Sequence, residues 1–147
     1  MSFYEKLAAL RTNRIFGRAA YLLLKILGVE IPRSVKIGDG LRLHHGGVGI
    51  VIHPASILGN NIGIYPGVTL GRADVFRPAS NSKFERIVIG DDVILGSGAK
   101  VLGDAGTLTV AKGTVLGANA VLLTSTNENE IWAGVPAKKV GIRPKDV

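Results

Sequence analysis

Three histidines, at positions 44, 45 and 53, are the side chains of this chain best suited to proton transfer at neutral pH. Imidazole has a reference pKa of about 6.5 and can accept a proton from a hydroxyl that attacks a carbonyl carbon. His44 and His45 are adjacent, and successive side chains of an extended segment point in opposite directions. We therefore expect one of them to be the base and the other its neighbour. His53 precedes Pro54 in a turn and is interpreted as structural.

Glu30 lies fifteen residues before His45. A carboxylate at that position could hydrogen-bond one imidazole nitrogen, fix the tautomer and stabilise the imidazolium formed during proton transfer. The alternative is a solvated glutamate at the junction between a helix and the segment that follows.

The composition excludes several other chemistries. The chain has 147 residues and no cysteine, so one core is expected, without disulfides, thiolate metal sites or cysteine nucleophiles. No histidine follows His53, so a zinc site of three histidines on successive repeats is not expected. No apolar run approaches the roughly 18 residues that a membrane span requires, and residues 19–24 lack a convincing cleavage site. We expect a soluble cytoplasmic protein that needs no metal.

A six-residue repeat of aliphatic residues predicts the elements that position these side chains. Glycine follows many of the repeat markers and allows tight corners between short strands, so the pattern predicts a triangular all-β solenoid with an aliphatic core. The markers are Ile31, Ile37 and Leu43; Ile52, Leu58, Ile64 and Leu70; Ile89, Leu95 and Val101; and Val110, Leu116 and Leu122.

Three breaks in the repeat are the places where functional segments can be inserted. The first, between Leu43 and Ile52, contains both adjacent histidines. The second contains the polar stretch 72–86, which we interpret as an extruded loop that walls a cleft. The third has residues 105–107 as its insert.

The N-terminal segment, residues 1–28, is predicted to be helical over 3–27 and to precede a β-domain of residues 29–147. One face of this helix is basic and the other apolar. The basic face is either a solvated stripe or a surface for peripheral membrane contact. Nucleic-acid binding is not expected, because aromatic and basic residues do not alternate. The basic residues are Arg11, Arg14, Arg18 and Lys25, and the apolar ones are Phe16, Ala20, Leu23, Leu24 and Leu27.

Four motifs, at residues 37–45, 49–52, 67–71 and 133–137, resemble those of serine acetyltransferases and related bacterial sugar O-acetyltransferases of the hexapeptide-repeat class. The likeness extends over about residues 30–141. It implies a left-handed parallel β-helix that assembles as a homotrimer or a dimer of trimers. It also implies that acetyl-CoA is the acyl donor and lies in a groove between coils.

The same resemblance assigns roles to individual residues. The catalytic histidine of the family falls on His45, its acidic partner on Glu30, and a position that contacts the acceptor on His44. Contacts to CoA are implied for Gly71, Ser97, Ala118 and Pro136, with Lys138 and Lys139 close to its phosphates.

The chain also departs from serine acetyltransferases, which carry a His-Pro pair where this sequence has Phe84 and Glu85. We therefore expect the acetyl group to be transferred to a hydroxyl of a sugar in a surface polysaccharide or its precursor. Serine O-acetylation is the alternative within the family. A non-catalytic β-helix that acts as a scaffold or binds glycan is the alternative of another class.

Overall fold

The computed structural model describes residues 1–144, which form two helices followed by fifteen strands. The helices are α1 (Phe3–Leu10) and α2 (Gly17–Ile26). The strands are β1 (Val29–Glu30), β2 (Lys36–Ile37), β3 (Arg42–Leu43), β4 (Ile50–Ile52), β5 (Ser56–Leu58), β6 (Gly63–Ile64), β7 (Thr69–Arg72), β8 (Lys83–Ile89), β9 (Ile94–Leu95), β10 (Lys100–Gly103), β11 (Ala105–Val110), β12 (Val115–Leu116), β13 (Val121–Leu122), β14 (Glu130–Ala133) and β15 (Lys138–Ile142).

The chain visits three parallel sheets in turn, and we call one visit to all three a coil. Sheet I contains β1, β4, β7, β10 and β13; sheet II contains β2, β5, β8 and β11; sheet III contains β3, β6, β9, β12, β14 and β15. Strands of successive coils pair in parallel, whereas β15 folds back and pairs antiparallel with β14. Strand formation begins at Val29, next to the boundary expected from the sequence.

The pairing register stacks the aliphatic markers on one another. In sheet I, Ile52 pairs with Leu70, Leu70 with Val101 and Val101 with Leu122, and all four side chains are buried. Burying an aliphatic side chain of this size contributes about 1.5–3 kcal/mol. The predicted six-residue repeat is therefore confirmed as the pattern of the core.

The second and third breaks in the six-residue repeat are not two separate insertions, as predicted from the sequence, but one pair of extended strands. β8 begins at Lys83, inside the expected loop 72–86, and pairs with β11 from Ala105 onward. Only residues 73–82 lie outside these strands, with a 3₁₀ turn at Ala79–Asn81. The two extensions satisfy each other's backbone donors and acceptors, which is why neither is a loop.

The N-terminal helix predicted over 3–27 is interrupted. The side-chain oxygen of Asn13 accepts hydrogen bonds from the backbone amides of Ile15 and Phe16, at 2.9 and 3.0 Å, and this local turn competes with helix continuation. α1 begins with a capping box in which Ser2 and Glu5 bond each other's backbone amides.

The sequence predicts that Arg11 lies on an exposed basic face, but the structure does not place it there. Its side chain is buried, and its guanidinium donates to the backbone carbonyls of Ala8, Pro32 and Val35. Because a helix wheel assumes one continuous helix, it cannot place a residue at which the helix ends. Arg11 ties α1 to the first coil.

Replacing Arg11 with methionine should therefore destabilise the fold. The carbonyls that it serves would be left buried without donors, which we expect to lower the free energy of unfolding by about 2–4 kcal/mol. Chemical denaturation of the two proteins measures this difference. The matched control is Arg14→Met, at an exposed position, and equal losses in both variants would contradict the role of Arg11.

Glu130 is a second buried charge, at the end of the β-domain where β14 meets β15. Its carboxylate accepts hydrogen bonds from the backbone amide of Asn127 and the indole nitrogen of Trp132, both at 2.9 Å. Lys139 Nζ lies 3.0 Å from it. The Asn127 amide, then Lys139 and Trp132, lower the pKa of Glu130 to about 2.

We expect Glu130→Gln to lower Tm by several degrees at pH 7. A carboxylate whose pKa falls on folding stabilises the fold fully above its unfolded pKa of about 4.3, and the effect is lost as the pH falls through the folded value. The difference in Tm should thus narrow between about pH 4 and pH 2. Thermal unfolding across this range tests it, with Glu128→Gln, at an exposed position, as control. A difference independent of pH would contradict it.

Candidate active site

His45 lies in a tight turn between β3 and β4, and not in an extended segment. Residues His44–Gly47 form a kinked turn, in which His45 adopts φ 51° and the next two glycines adopt φ 76° and 67°. A left-handed backbone is uncommon for a residue with a side chain, and in this chain the other non-glycine residues that adopt it are Asn or Asp. The turn leaves the imidazole of His45 exposed.

Helix α1 supports this turn. The ring of Tyr4 packs so closely on Gly46 that a Cβ there would lie 2.9 Å from it. The Glu5 carboxylate accepts a hydrogen bond of 3.1 Å from the backbone amide of Leu43. Burial opposes ionisation of Glu5, but hydrogen bonds from Ser2 and Leu43 outweigh it and lower its pKa. The N-terminal segment therefore positions the candidate base.

His44 stacks on Tyr65, with ring centroids 4.1 Å apart and an interplanar angle of 9°. The ring of His45 is 6.2 Å from the same tyrosine. The two imidazoles are thus near one aromatic ring, because the turn replaces the strand alternation expected from the sequence. His44 also lines a cavity of about 180 Å³ with Arg42 and Arg143. Its assignment to acceptor binding stays a prediction.

Glu30 faces outward from β1 and pairs with Lys25 of α2, at 3.1 Å. Hydrogen bonding to Glu30 and the charge of this carboxylate raise the pKa of Lys25. The expected hydrogen bond between Glu30 and His45 is not formed in this structure. Both members of the Lys25–Glu30 pair are substantially exposed, and ion pairs of this kind contribute little to stability. Breaking this ion pair therefore costs little.

Two of the predicted CoA contacts, Ser97 and Ala118, are exposed at turns between sheet III and sheet I. Pro136 is exposed between β14 and β15 of sheet III, where Gly134 and Ala137 beside it form backbone hydrogen bonds with Val121. Successive turns are joined by backbone hydrogen bonds, such as that from Asn119 to the Ser97 carbonyl at 2.8 Å. The turn that carries His45 is the first in this stack, since the Gly67 amide donates to the Val48 carbonyl at 2.9 Å. We call this edge of the β-domain the turn corner.

Glycines keep the surface of the turn corner flat at its first three turns. A Cβ on Gly49 would lie 3.4 Å from the Cα of Gly67, and one on Gly67 would lie 3.5 Å from the Cα of Gly98. All three have positive φ. With no side chains there, the backbone is open to close approach by a ligand.

The other three predicted CoA residues lie elsewhere or have other partners. Gly71 is at the far end of β7, in a cavity of about 570 Å³ that Glu30 and Val75 also line. Lys139 is paired with Glu130, whereas Lys138 is exposed next to it. These roles stay predictions.

Segment 73–82 contributes one residue, Val75, to the lining of that cavity, so its role as the wall of a cleft stays a prediction. Arg72 holds its start, with Nε 3.1 Å from the buried carboxylate of Asp74 and a hydrogen bond to the Arg77 carbonyl. The ring of His53 packs edge-on against that of Phe84, with the centroids 5.0 Å apart. Its Nδ1 accepts a hydrogen bond from the backbone amide of Ala55. Burial, and then the charge of Arg72, lower the pKa of His53. These contacts fit the structural interpretation of His53.

Two residues of the site, Tyr65 and Lys100, were not predicted from the sequence. Tyr65 follows the marker Ile64 as His44 follows Leu43, and these markers pair in register, so comparison of equivalent positions in successive coils could have found it. Lys100 Nζ donates to the carbonyls of Gly67 and Gly98, at 2.6 and 2.9 Å, and so joins two turns of the turn corner. No sequence signal indicated that lysine. Among residues 1–144, no three His, Asp or Glu side chains form a group that could hold a metal ion.

The known proteins that are similar in sequence to this chain include serine acetyltransferases from two organisms. The chain is 35% identical over 140 residues to a serine acetyltransferase of Helicobacter pylori strain J99, which covers 93% of this chain and 77% of that protein. It is 36% identical over 119 residues to the serine acetyltransferase of Staphylococcus aureus strain Mu50, which covers 79% of this chain and 52% of that protein. No family model matches the chain.

A solved structure agrees with these relatives. Serine acetyltransferase from Brucella abortus strain S19, in complex with coenzyme A, superposes with a TM-score of 0.77 at 26% identity over 95% of this chain. The chain spans 55% of the length of that structure. The sequence identity and the shared parallel-sheet architecture show that the chain belongs to the serine acetyltransferase family of hexapeptide-repeat acyltransferases.

Proposed function

We propose that this protein transfers the acetyl group of acetyl-CoA to a hydroxyl, with His45 as the general base. The observation that carries the proposal is the position of His45, an exposed imidazole on a kinked turn that begins the turn corner. Two residues with implied CoA contacts, Ser97 and Ala118, follow along the same edge. A relative of the same architecture has been solved in complex with coenzyme A, which supports acetyl-CoA as the donor.

The reaction is a direct transfer within a ternary complex. His45 removes the hydroxyl proton while the hydroxyl oxygen forms a bond to the thioester carbonyl carbon. The carbon–sulfur bond then breaks, and the CoA thiolate leaves and takes up the proton from the imidazolium. Backbone amides along the cleft stabilise the tetrahedral oxyanion between these two steps. The products are an acetyl ester and CoA.

Glu30 is the proposed partner of the imidazolium. Its carboxylate is on the strand that pairs with β4, directly after the turn of His45, and its present ion pair with Lys25 is exposed. Exchange from Lys25 to His45 would fix the imidazole tautomer during proton transfer. The same residue thus has a resting partner and a catalytic one.

The acceptor we propose to test first is serine, because the relatives that match over most of this chain are named for serine acetylation. Our expectation of a sugar acceptor has less support. A sugar hydroxyl remains the second candidate, since residues 84 and 85 lack the His-Pro pair and segment 73–82 supplies polar side chains. Serine has an ammonium and a carboxylate, whereas a neutral sugar has neither, so acceptor analogues separate the two.

We also propose the finer architecture and assembly that the resemblance implies. The three sheets would close into a left-handed β-helix, and a homotrimer would complete the CoA groove between neighbouring copies. Support comes from the TM-score of 0.77 to a serine acetyltransferase structure. The cytoplasm is the proposed location. Among residues 1–144, no helix is both long and apolar enough to cross a bilayer.

The deciding test replaces His45 with alanine. With acetyl-CoA and serine, or a panel of nucleotide sugars and oligosaccharides, we expect kcat to fall by about 10²- to 10⁴-fold. Release of the CoA thiol measures turnover, and calorimetry measures CoA binding, which should be retained. The control is His53→Asn, away from the turn corner. Unchanged turnover in His45→Ala would reject the base, and no CoA binding by the wild type would favour a non-catalytic scaffold.

A second prediction concerns the exchange of partners by Glu30. Glu30→Gln should lower kcat about 10-fold or more with little change in the KM for acetyl-CoA, because the amide stabilises the imidazolium less well. Lys25→Met should keep kcat within about twofold of wild type, since it removes only the resting partner. Both are measured by steady-state kinetics. A larger loss in Lys25→Met than in Glu30→Gln would show that Glu30 acts through Lys25.

A further inference from the structure

Helix α2 presents apolar side chains away from the β-domain. Ile15, just before the helix, and Leu22 and Ile26 within it are 80%, 55% and 81% exposed. Leu22 and Ile26 are four residues apart and share one face of α2, and Ile15 precedes the first turn of the helix. Phe16 and Leu23 extend this face to one side and are also exposed. We call these five residues the outer apolar face.

Within residues 1–144, the outer apolar face is largely left uncovered by the rest of the chain. The opposite side of α2, formed by Gly17, Ala20 and Leu24, is buried against the rest of the structure and already supplies the contacts that hold the helix. Scattered apolar residues are common on protein surfaces, but a contiguous apolar group beside charges usually marks a binding surface.

Basic side chains form a stripe along one edge of the outer apolar face. Arg18 and Lys25 are seven residues apart in α2 and lie on one side of the helical surface, and Arg14 is exposed in the turn that precedes the helix. Lys25 shares its charge with Glu30, whereas within residues 1–144 neither arginine has an acidic side chain within 4 Å. Arg33 adds a further cation beside Asn13, near the start of α2. The stripe therefore complements an anionic surface.

We infer that α2 docks on an anionic lipid surface, with its axis parallel to the membrane plane. The outer apolar face would enter the boundary between headgroups and acyl chains, and the arginines would contact lipid phosphates. Because α2 has only ten residues, this contact is peripheral and reversible. The inference does not depend on the proposed acetyl transfer.

A second copy of the chain fits this face less well. Two copies that paired antiparallel through it about a two-fold axis would bring their basic stripes together, and like charges in contact oppose association. Five apolar side chains are also far fewer than the roughly 20–30 residues on each side of a standard interface. A lipid surface needs neither shape complementarity nor a particular area.

The test is co-sedimentation of the full chain with vesicles of phosphatidylcholine alone or of phosphatidylcholine and phosphatidylglycerol in a 3:1 ratio. We expect binding to the anionic vesicles only, and weaker binding at higher salt. Each charge removed should weaken binding roughly fivefold, as in Arg14→Gln and Arg18→Gln. The double variant Leu22→Ser/Ile26→Ser should lose binding while it retains its Tm and its thiol-release rate.

The matched control is Val75→Ser/Phe76→Ser, which removes two equally exposed apolar residues from segment 73–82 and should bind like the wild type. Equal binding to both vesicle types, or an equal loss in the control, would overturn the inference. If the wild type ignores vesicles and Leu22→Ser/Ile26→Ser lowers the oligomeric mass in sedimentation velocity, a second copy occupies the face and the lipid inference is wrong. No vesicle binding and no change of mass would also reject it.

Discussion

The register of the inward aliphatic columns is the constraint on which the rest of this structure depends. Most strands contain only two to four residues, so the hydrogen bonds of any one strand cannot specify its alignment. Side chains do so, because a slip of one residue would turn a column such as Ile52, Leu70 and Val101 outward. The residues that follow the markers inherit this alignment, which is how His44 comes to stack on Tyr65.

Features that repeat along the chain could be predicted from the sequence, and features that depend on a single distant contact could not. The core markers and the turns that carry Ser97 and Ala118 follow from periodicity. The break in the N-terminal helix depends on one side chain, Asn13, that competes for backbone amides. The extension of β8 depends on Ala105 and its neighbours, about twenty residues away in sequence, as a pairing partner. Neither contact leaves a periodic signal.

The candidate site illustrates the same limit. Residue type pointed to the adjacent histidines and to Glu30, and the family resemblance assigned the role of base to His45, but neither gave the geometry around these side chains. The left-handed backbone of His45 is stabilised by contacts of α1 with the turn, through Tyr4 and Glu5, and a short helix of ordinary composition gave no hint of this. Similarly, Lys25 was assigned to a basic stripe, whereas it is also the partner of Glu30. The two helices and the β-domain, which the sequence pattern separates, are in direct contact at the site.

This arrangement favours direct transfer over a covalent acyl-enzyme. A covalent route needs a nucleophile beside a base. The chain has no cysteine, Ser97 lies two coils from the turn of the adjacent histidines, and the ring of Tyr65, a hydroxyl-bearing side chain beside them, is stacked on His44. The donor and acceptor sides of His45 also differ. The turn corner extends from it in one direction, and the stacked His44 and Tyr65 flank it on sheet III. In the proposed mechanism, two substrates approach one imidazole from separate surfaces, and the same base serves both the attack and the departure of the thiolate.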